Sequence, residues 1–214
     1  MTRSSRRGGR GALLRLAIIG VTGISGSGTS TVAQILAEQG GFVIHADKLA
    51  HEIMCESGPA FNEIVRAFGA EVLNTDGKID RQALGAMVFG TENKEKLSIL
   101  EKILHPRVES EIIALIEESA ATGEYSFAVI DAPLLIESGL NNLCDACWLV
   151  TAPENTRLAR IMARDSISRE AALRRLQSRP GDETLRPYAD AIIENDDDLK
   201  ALCDKVFAEV NNVA

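Results

Sequence analysis

A chain of 214 residues with 45% hydrophobic content holds enough apolar material for one sizeable core, with the composition of a soluble globular protein. Its 31 Asp+Glu against 23 Lys+Arg give a net charge of -8, which argues against a general nucleic-acid or membrane-surface binder and requires a local basic pocket for any anionic substrate. No stretch of about 20 apolar residues offers a spanning helix, and Cys55, Cys144, Cys147 and Cys203 are too scattered for a disulfide framework, which points to a reduced, cytoplasmic setting.

The chain opens on "TRSSRRGGRG", where Arg3, Arg6, Arg7 and Arg10 stand among Ser and Gly. This composition cannot bury apolar surface, so residues 1–14 are expected to be a disordered tail and residues 15–214 one folded domain. Short apolar runs then alternate with helical patterns, which predicts an α/β fold of three layers, a parallel sheet between helices. The predicted strands are 15–21, 41–46, 126–132, 146–152 and 190–195.

The first strand runs into Gly23-Ile24-Ser25-Gly26-Ser27-Gly28-Thr29-Ser30, followed by Thr31 and a helix with Val32, Ile35 and Leu36 on its apolar face. Strand, glycine loop and helix are the context of a phosphate-binding loop, in which converging backbone N–H groups and the helix N-terminus hold phosphate oxygens. Ser30 stands where such loops place the hydroxyl that ligates Mg²⁺. Thr29 stands where they place a lysine that reaches the terminal phosphates. A cation is therefore expected from elsewhere, the candidates being Lys48, Arg160, Arg164, Arg169, Arg174, Arg175 and Arg179.

"VIHADKLAHEI" ends the second strand with Asp47 at the sheet edge where ligands gather. A carboxylate there can take a proton from an attacking hydroxyl, hold a metal or cap the next helix. A mostly helical insert of about residues 48–122 follows, of a size expected to hold a second substrate, and Pro106 within it is expected to open or kink a helix. The third strand closes on Asp131, an acid that either positions Mg²⁺ or caps a turn. The Cys144-x-x-Cys147 pair has no second pair to complete a zinc site and reads as packing at a strand start. An Arg-rich stretch of about 163–188 is expected to be a lid over phosphates. Asp196 to Asp198 mark the start of a last helix, striped by Leu199, Leu202, Val206 and Val210.

The glycine loop, "IHADKLAHEI", "ILEKILHPRV", "VIDAPLLIESGL", "TAPENTRLARIMARD" and "YADAIIEND" resemble, in order and spacing, the dephospho-CoA kinases, from Leu16 to the final helix. The resemblance implies a three-layer P-loop kinase fold with a five-stranded parallel sheet, a helical substrate-binding insert and a helical lid. It implies ATP- and Mg²⁺-dependent phosphorylation of the ribose 3'-hydroxyl of dephospho-CoA, the last step of CoA synthesis, by a monomer or small homo-oligomer. Asp47 matches the family's general base and Arg164 a lid arginine. The ATP site carried over comprises Gly23, Ser25, Gly26, Ser27, Gly28, Thr29, Ser30, Thr31, Arg160 and Asn195, with Ser30 and Asp131 toward the metal. His105, Pro106, Pro133, Leu134 and Leu135 look like acceptor-site residues, His105 being equally readable as a helix-start histidine bonded internally.

Three positions depart from the family pattern: Thr29 for the loop lysine, His45 for the first acid of the usual Asp-x-Asp, and Arg179 for a lid glutamine. They leave open two other readings, a family member that binds CoA or nucleotide without turnover, and a P-loop kinase for another small hydroxyl acceptor. A GTPase is disfavoured, since "NKEK" lacks the acid of a guanine-reading motif.

Overall fold

The computed structural model describes residues 16–55, 58–90, 92–177 and 181–213. The Arg-rich tail of residues 1–14 and Arg179 of the lid lie outside the described residues. The strands are β1 (Ala17–Thr22), β2 (Gly41–His45), β3 (Phe127–Asp131), β4 (Ala146–Thr151) and β5 (Ala191–Glu194). They pair in parallel in the order β2-β3-β1-β4-β5.

Side chains alternate across a strand, so the central strands β1, β3 and β4 each feed two cores. Ile19, Val21, Val129 and Trp148 point to one face. There they meet α1 (Thr29–Glu38), through Val32, Ile35 and Leu36, and α9 (Leu199–Val210), through Leu202 and Val206. Ile18, Ala128, Ile130 and Cys147 point to the other face, which is covered from the stretch between β2 and β3 by α2 (Ala46–Met54), α3 (Phe61–Phe68), α4 (Arg81–Val88) and α5 (Lys94–Thr122). Strands buried on both sides explain why the sequence shows continuous apolar runs there. Between β4 and β5 stand α6 (Glu154–Asp165), α7 (Arg169–Gln177) and α8 (Asp182–Leu185). No helix among the described residues is long and apolar enough to cross a membrane.

Three local expectations need correction. Of the two outcomes expected at Pro106, the opening of a helix is not met, because α5 runs through it. A proline removes one backbone hydrogen bond and crowds the preceding turn; here the Arg107 guanidinium donates to the Ile103 carbonyl at 2.6 Å and pairs with Glu63 of α3, also at 2.6 Å. The side chain thus serves the carbonyl beside the break and ties it to a neighbouring helix. Leu199 is 62% exposed, since it is the first residue of α9, and the buried stripe begins at Leu202. Asp47 is not the cap of α2, because His45 occupies that place and Asp47 lies in the first turn.

The acidic run before α9 does start a helix: Asp198 accepts from the Ala201 N–H at 2.9 Å, while Asp196 and Asp197 pair with Lys205 at 3.0 and 3.1 Å. Cys144 and Cys147 meet the carbonyls of Leu140 and Asn141 at the start of β4. The Cys147 hydrogen bond, and then burial, push the Cys144 thiol above its ordinary range, which disfavours the reactive thiolate.

Candidate active site

A cavity of about 1040 Å³ opens where β1, β2 and β3 end, at the reversal of strand order around β1. The glycine loop forms its floor, with Asp47, Lys48 and Asp131 on one side and Arg160, Arg164 and Arg175 on another.

The loop is held from behind. Arg160 Nη1 donates to the carbonyls of Gly26 and Ser27, each at 3.3 Å, and its Nη2 donates to Asn195 Oδ1 at 3.3 Å. Asn195 Nδ2 donates to the Ser27 carbonyl at 2.7 Å. With the carbonyls engaged there, the amides of Gly26, Gly28, Thr29 and Ser30 have no hydrogen-bond acceptor among the described residues. Unpaired amides at a helix start form an anion site, and the field of α1 adds to it. Gly26 and Gly28 are required by conformation, with φ of 82° and 101°. Thr29 and Ser30 begin α1 beside the cavity, but a threonine carries no charge to a terminal phosphate.

Opposite the loop, the β2–β3 register sets His45 beside Asp131, and His45 Nδ1 donates to Asp131 Oδ2 at 2.9 Å. Burial raises the pKa of Asp131, which is only 7% exposed; the His45 hydrogen bond opposes that shift and the Asp47 charge adds to it. The native state therefore binds this proton more tightly than the unfolded chain. Stability is fully present below the ordinary carboxylate value of 3.8 and is lost as pH rises through the raised folded value. Asp131→Asn keeps an acceptor for His45 with no charge to bury, so it is expected to raise the thermal midpoint at pH 7. Melting curves at pH 3 and pH 7 check this: the gain must vanish at the lower pH.

The remaining sequence candidates divide. Pro133 lines the cavity, with its carbonyl accepting from Thr22 Oγ1 at 3.3 Å. Leu134 is exposed, whereas Leu135 is fully buried against Gly20 and supports this turn from beneath. His105 and Pro106 lie mid-way along α5, away from the cavity lining, so His105 is not a helix-start residue. Arg164 Nη2 reaches Ser25 Oγ of the loop at 3.5 Å. Arg169 and Arg174 are exposed on α7 and do not line the cavity. Sequence reasoning missed Asp165, which joins Arg164 and Arg175. A signal existed: a carboxylate in the last turn of a helix sits against the negative end of its dipole and needs a cation.

The family model described as dephospho-CoA kinase matches residues 17–201. The chain is 40% identical over 195 residues to the dephospho-CoA kinase of Carboxydothermus hydrogenoformans, covering 91% of this chain and 93% of that one. To the enzyme of the same description from Moorella thermoacetica it is 42% identical over 185 residues, covering 86% of each. The crystal structure of a Thermus thermophilus protein superposes with a TM-score of 0.78 at 33% identity, covering 94% of this chain and 99% of that one. Dephospho-CoA kinase from Campylobacter jejuni superposes at 0.57 with 29% identity, covering 92% and 97%.

Proposed function

The chain belongs to the dephospho-CoA kinase family and phosphorylates dephospho-CoA with ATP in CoA biosynthesis, and from that premise we propose how its own residues divide the work. The observation that carries the division is the placing of the glycine loop, Asp47 and the lid arginines around one cavity. The loop amides and the N-terminus of α1 hold the ATP phosphates, and Arg160 with Asn195 keeps the loop in shape. Asp47 accepts the proton of the ribose 3'-hydroxyl as it attacks the γ-phosphoryl group. Arg164, whose Nη2 reaches Ser25 Oγ of the loop, stabilises the charge that spreads onto the transferring oxygens. Pro133 and Leu134 border the acceptor, while the helices of residues 48–122, with His105 and Pro106, form the acceptor-binding region and residues 163–188 the lid.

The donor chemistry suits Mg²⁺: Ser30 offers a hydroxyl and Asp131, with Asp47 near enough to influence its charge, offers hard carboxylate oxygens. Bound there with ATP, the cation would neutralise phosphate charge. His45 keeps the Asp131 oxygens aimed. We place the enzyme in the cytoplasm as a monomer or small homo-oligomer, with ATP and dephospho-CoA as its small-molecule partners.

The test is CoA formation from ATP and dephospho-CoA with excess Mg²⁺ and with EDTA, alongside shikimate and gluconate as other hydroxyl acceptors. Turnover only with dephospho-CoA and Mg²⁺ is expected. Turnover undiminished in EDTA would remove Ser30 and Asp131 as metal residues, and binding without turnover would leave a family member that does not catalyse.

A further inference from the structure

Thr29 leaves the phosphate site one charge short, and the candidate cations are not equivalent. Arg160 is committed to the loop carbonyls and Asn195, and Arg157 pairs with Asp182 at 3.3 Å. Lys48 stands on the acid side of the cavity, beside Asp47 and within electrostatic reach of Asp131. Among the described residues, the other cations that line the cavity are Arg164 and Arg175, and both meet one carboxylate. Asp165 Oδ1 accepts from Arg164 Nε at 2.8 Å, and its Oδ2 accepts from Arg164 Nη2 at 3.0 Å and from Arg175 Nη1 at 2.6 Å.

The arrangement has a local cause. Asp165 is the last residue of α6, where the helix dipole disfavours an anion, so the carboxylate gains most from cationic partners. Ser166 follows in the left-handed region, at φ 52°, a conformation uncommon outside glycine. There the chain leaves α6, and α7 packs beside it with Arg175 ten positions after Asp165. The Asp165 side chain is 19% exposed while those of Arg164 and Arg175 are 57% and 54% exposed, so the carboxylate is covered and the guanidinium groups project into the cavity. Two guanidinium groups thus share one carboxylate at the rim of the cavity that the loop lysine would otherwise serve.

We propose that Asp165 is a positioning residue that holds Arg164 and Arg175 over the phosphate site, and that this pair supplies the charge Thr29 does not. The inference rests on the kinase reading of the cavity. Asp165 touches neither substrate and acts through the two arginines. Arg164, turned toward Ser25, serves the loop end of the phosphates, and the Asp165 carboxylate draws Arg175 in beside it.

The experiment is a double-mutant cycle on steady-state CoA formation: the unchanged chain, Asp165→Asn, Thr29→Lys and the double variant, with Arg175→Met in place of Asp165→Asn as an independent route to the same loss. Asp165→Asn is expected to lower kcat by roughly 10- to 1000-fold, the range for losing one group that stabilises transition-state charge, with KM for dephospho-CoA within about twofold. Restoring the lysine is expected to raise kcat at least about tenfold more in the Asp165→Asn or Arg175→Met background than in the unchanged chain. A merely structural Asp165 would lower the thermal midpoint and gain nothing from a lysine in the loop. Equal gains in all backgrounds overturn the proposal, as does coupling found with Lys48→Met instead. An unchanged chain that makes no CoA overturns the kinase reading itself, and this inference falls with it; an active chain with additive variants overturns the inference alone.

Discussion

Asp47→Asn is expected to lower kcat for CoA formation by about 10²- to 10⁴-fold, the span of general-base catalysis, with KM for ATP within about twofold. The lower half of that span is favoured by the chemistry. Phosphoryl transfer passes through a loose transition state in which the attacking oxygen has formed little bond, so its proton becomes acidic late and the base assists only part of the barrier. Asp47 is solvent-exposed in the first turn of α2 and lines the cavity, so the substitution disturbs no packing. Its stabilising effect at the helix start is about 0.3–1 kcal/mol, which leaves the thermal midpoint nearly unchanged. The kinetic split then assigns the role. A base lost gives a fall in kcat alone, whereas a metal ligand lost raises the Mg²⁺ concentration needed for half-maximal rate. A fall smaller than about tenfold at saturating Mg²⁺ would take Asp47 out of the proton transfer.

The parts of this molecule legible in its sequence are those set by local chemistry. β3, "FAVID", is buried at all of its positions, so a continuous apolar run marked the strand. The glycine loop was legible because φ values of 82° and 101° restrict residue type, and Asp198 because a cap hydrogen bond is made three residues away. Long-range partnerships were not legible. Arg160 reaches Gly26 across 134 positions; the family resemblance set it in the ATP site, but no local pattern showed that its partners are the loop carbonyls rather than a phosphate. His45 looked like a lost acid; that it faces Asp131 required knowing that β2 lies beside β3 rather than β1. That a helix runs on through Pro106 was not legible, because the rule for prolines covers the backbone alone, and the compensating group is a side chain bonding the neighbouring carbonyl.

Gly28→Ala is expected to reduce kcat/KM for ATP by about 10²- to 10³-fold, the loss typical when a donor to transition-state charge is displaced. Two costs combine. At φ 101° an L side chain is strained by about 1–3 kcal/mol, and the new Cβ would strike Asn195 Nδ2. Strain alone would not move the loop that far, because a comparable positive φ, 75°, occurs at Gly77, where no atom lies within 4 Å of an added Cβ. Gly77→Ala therefore reports backbone strain by itself, and it should lower stability without touching KM for ATP. At Gly28 the collision drives Asn195 off the Ser27 carbonyl, which it meets at 2.7 Å, and loosens the Arg160 hydrogen bonds beside it. The loop then loses the support that turns its amides to the cavity, and the ATP phosphates lose several donors together. Adding Asn195→Gly, which removes the obstructing amide, separates the two costs: recovery of ATP affinity above the Gly28→Ala value would place the damage at the collision. No recovery, with Asn195→Gly alone as harmful as Gly28→Ala, would place it in the lost grip of Asn195 on the loop.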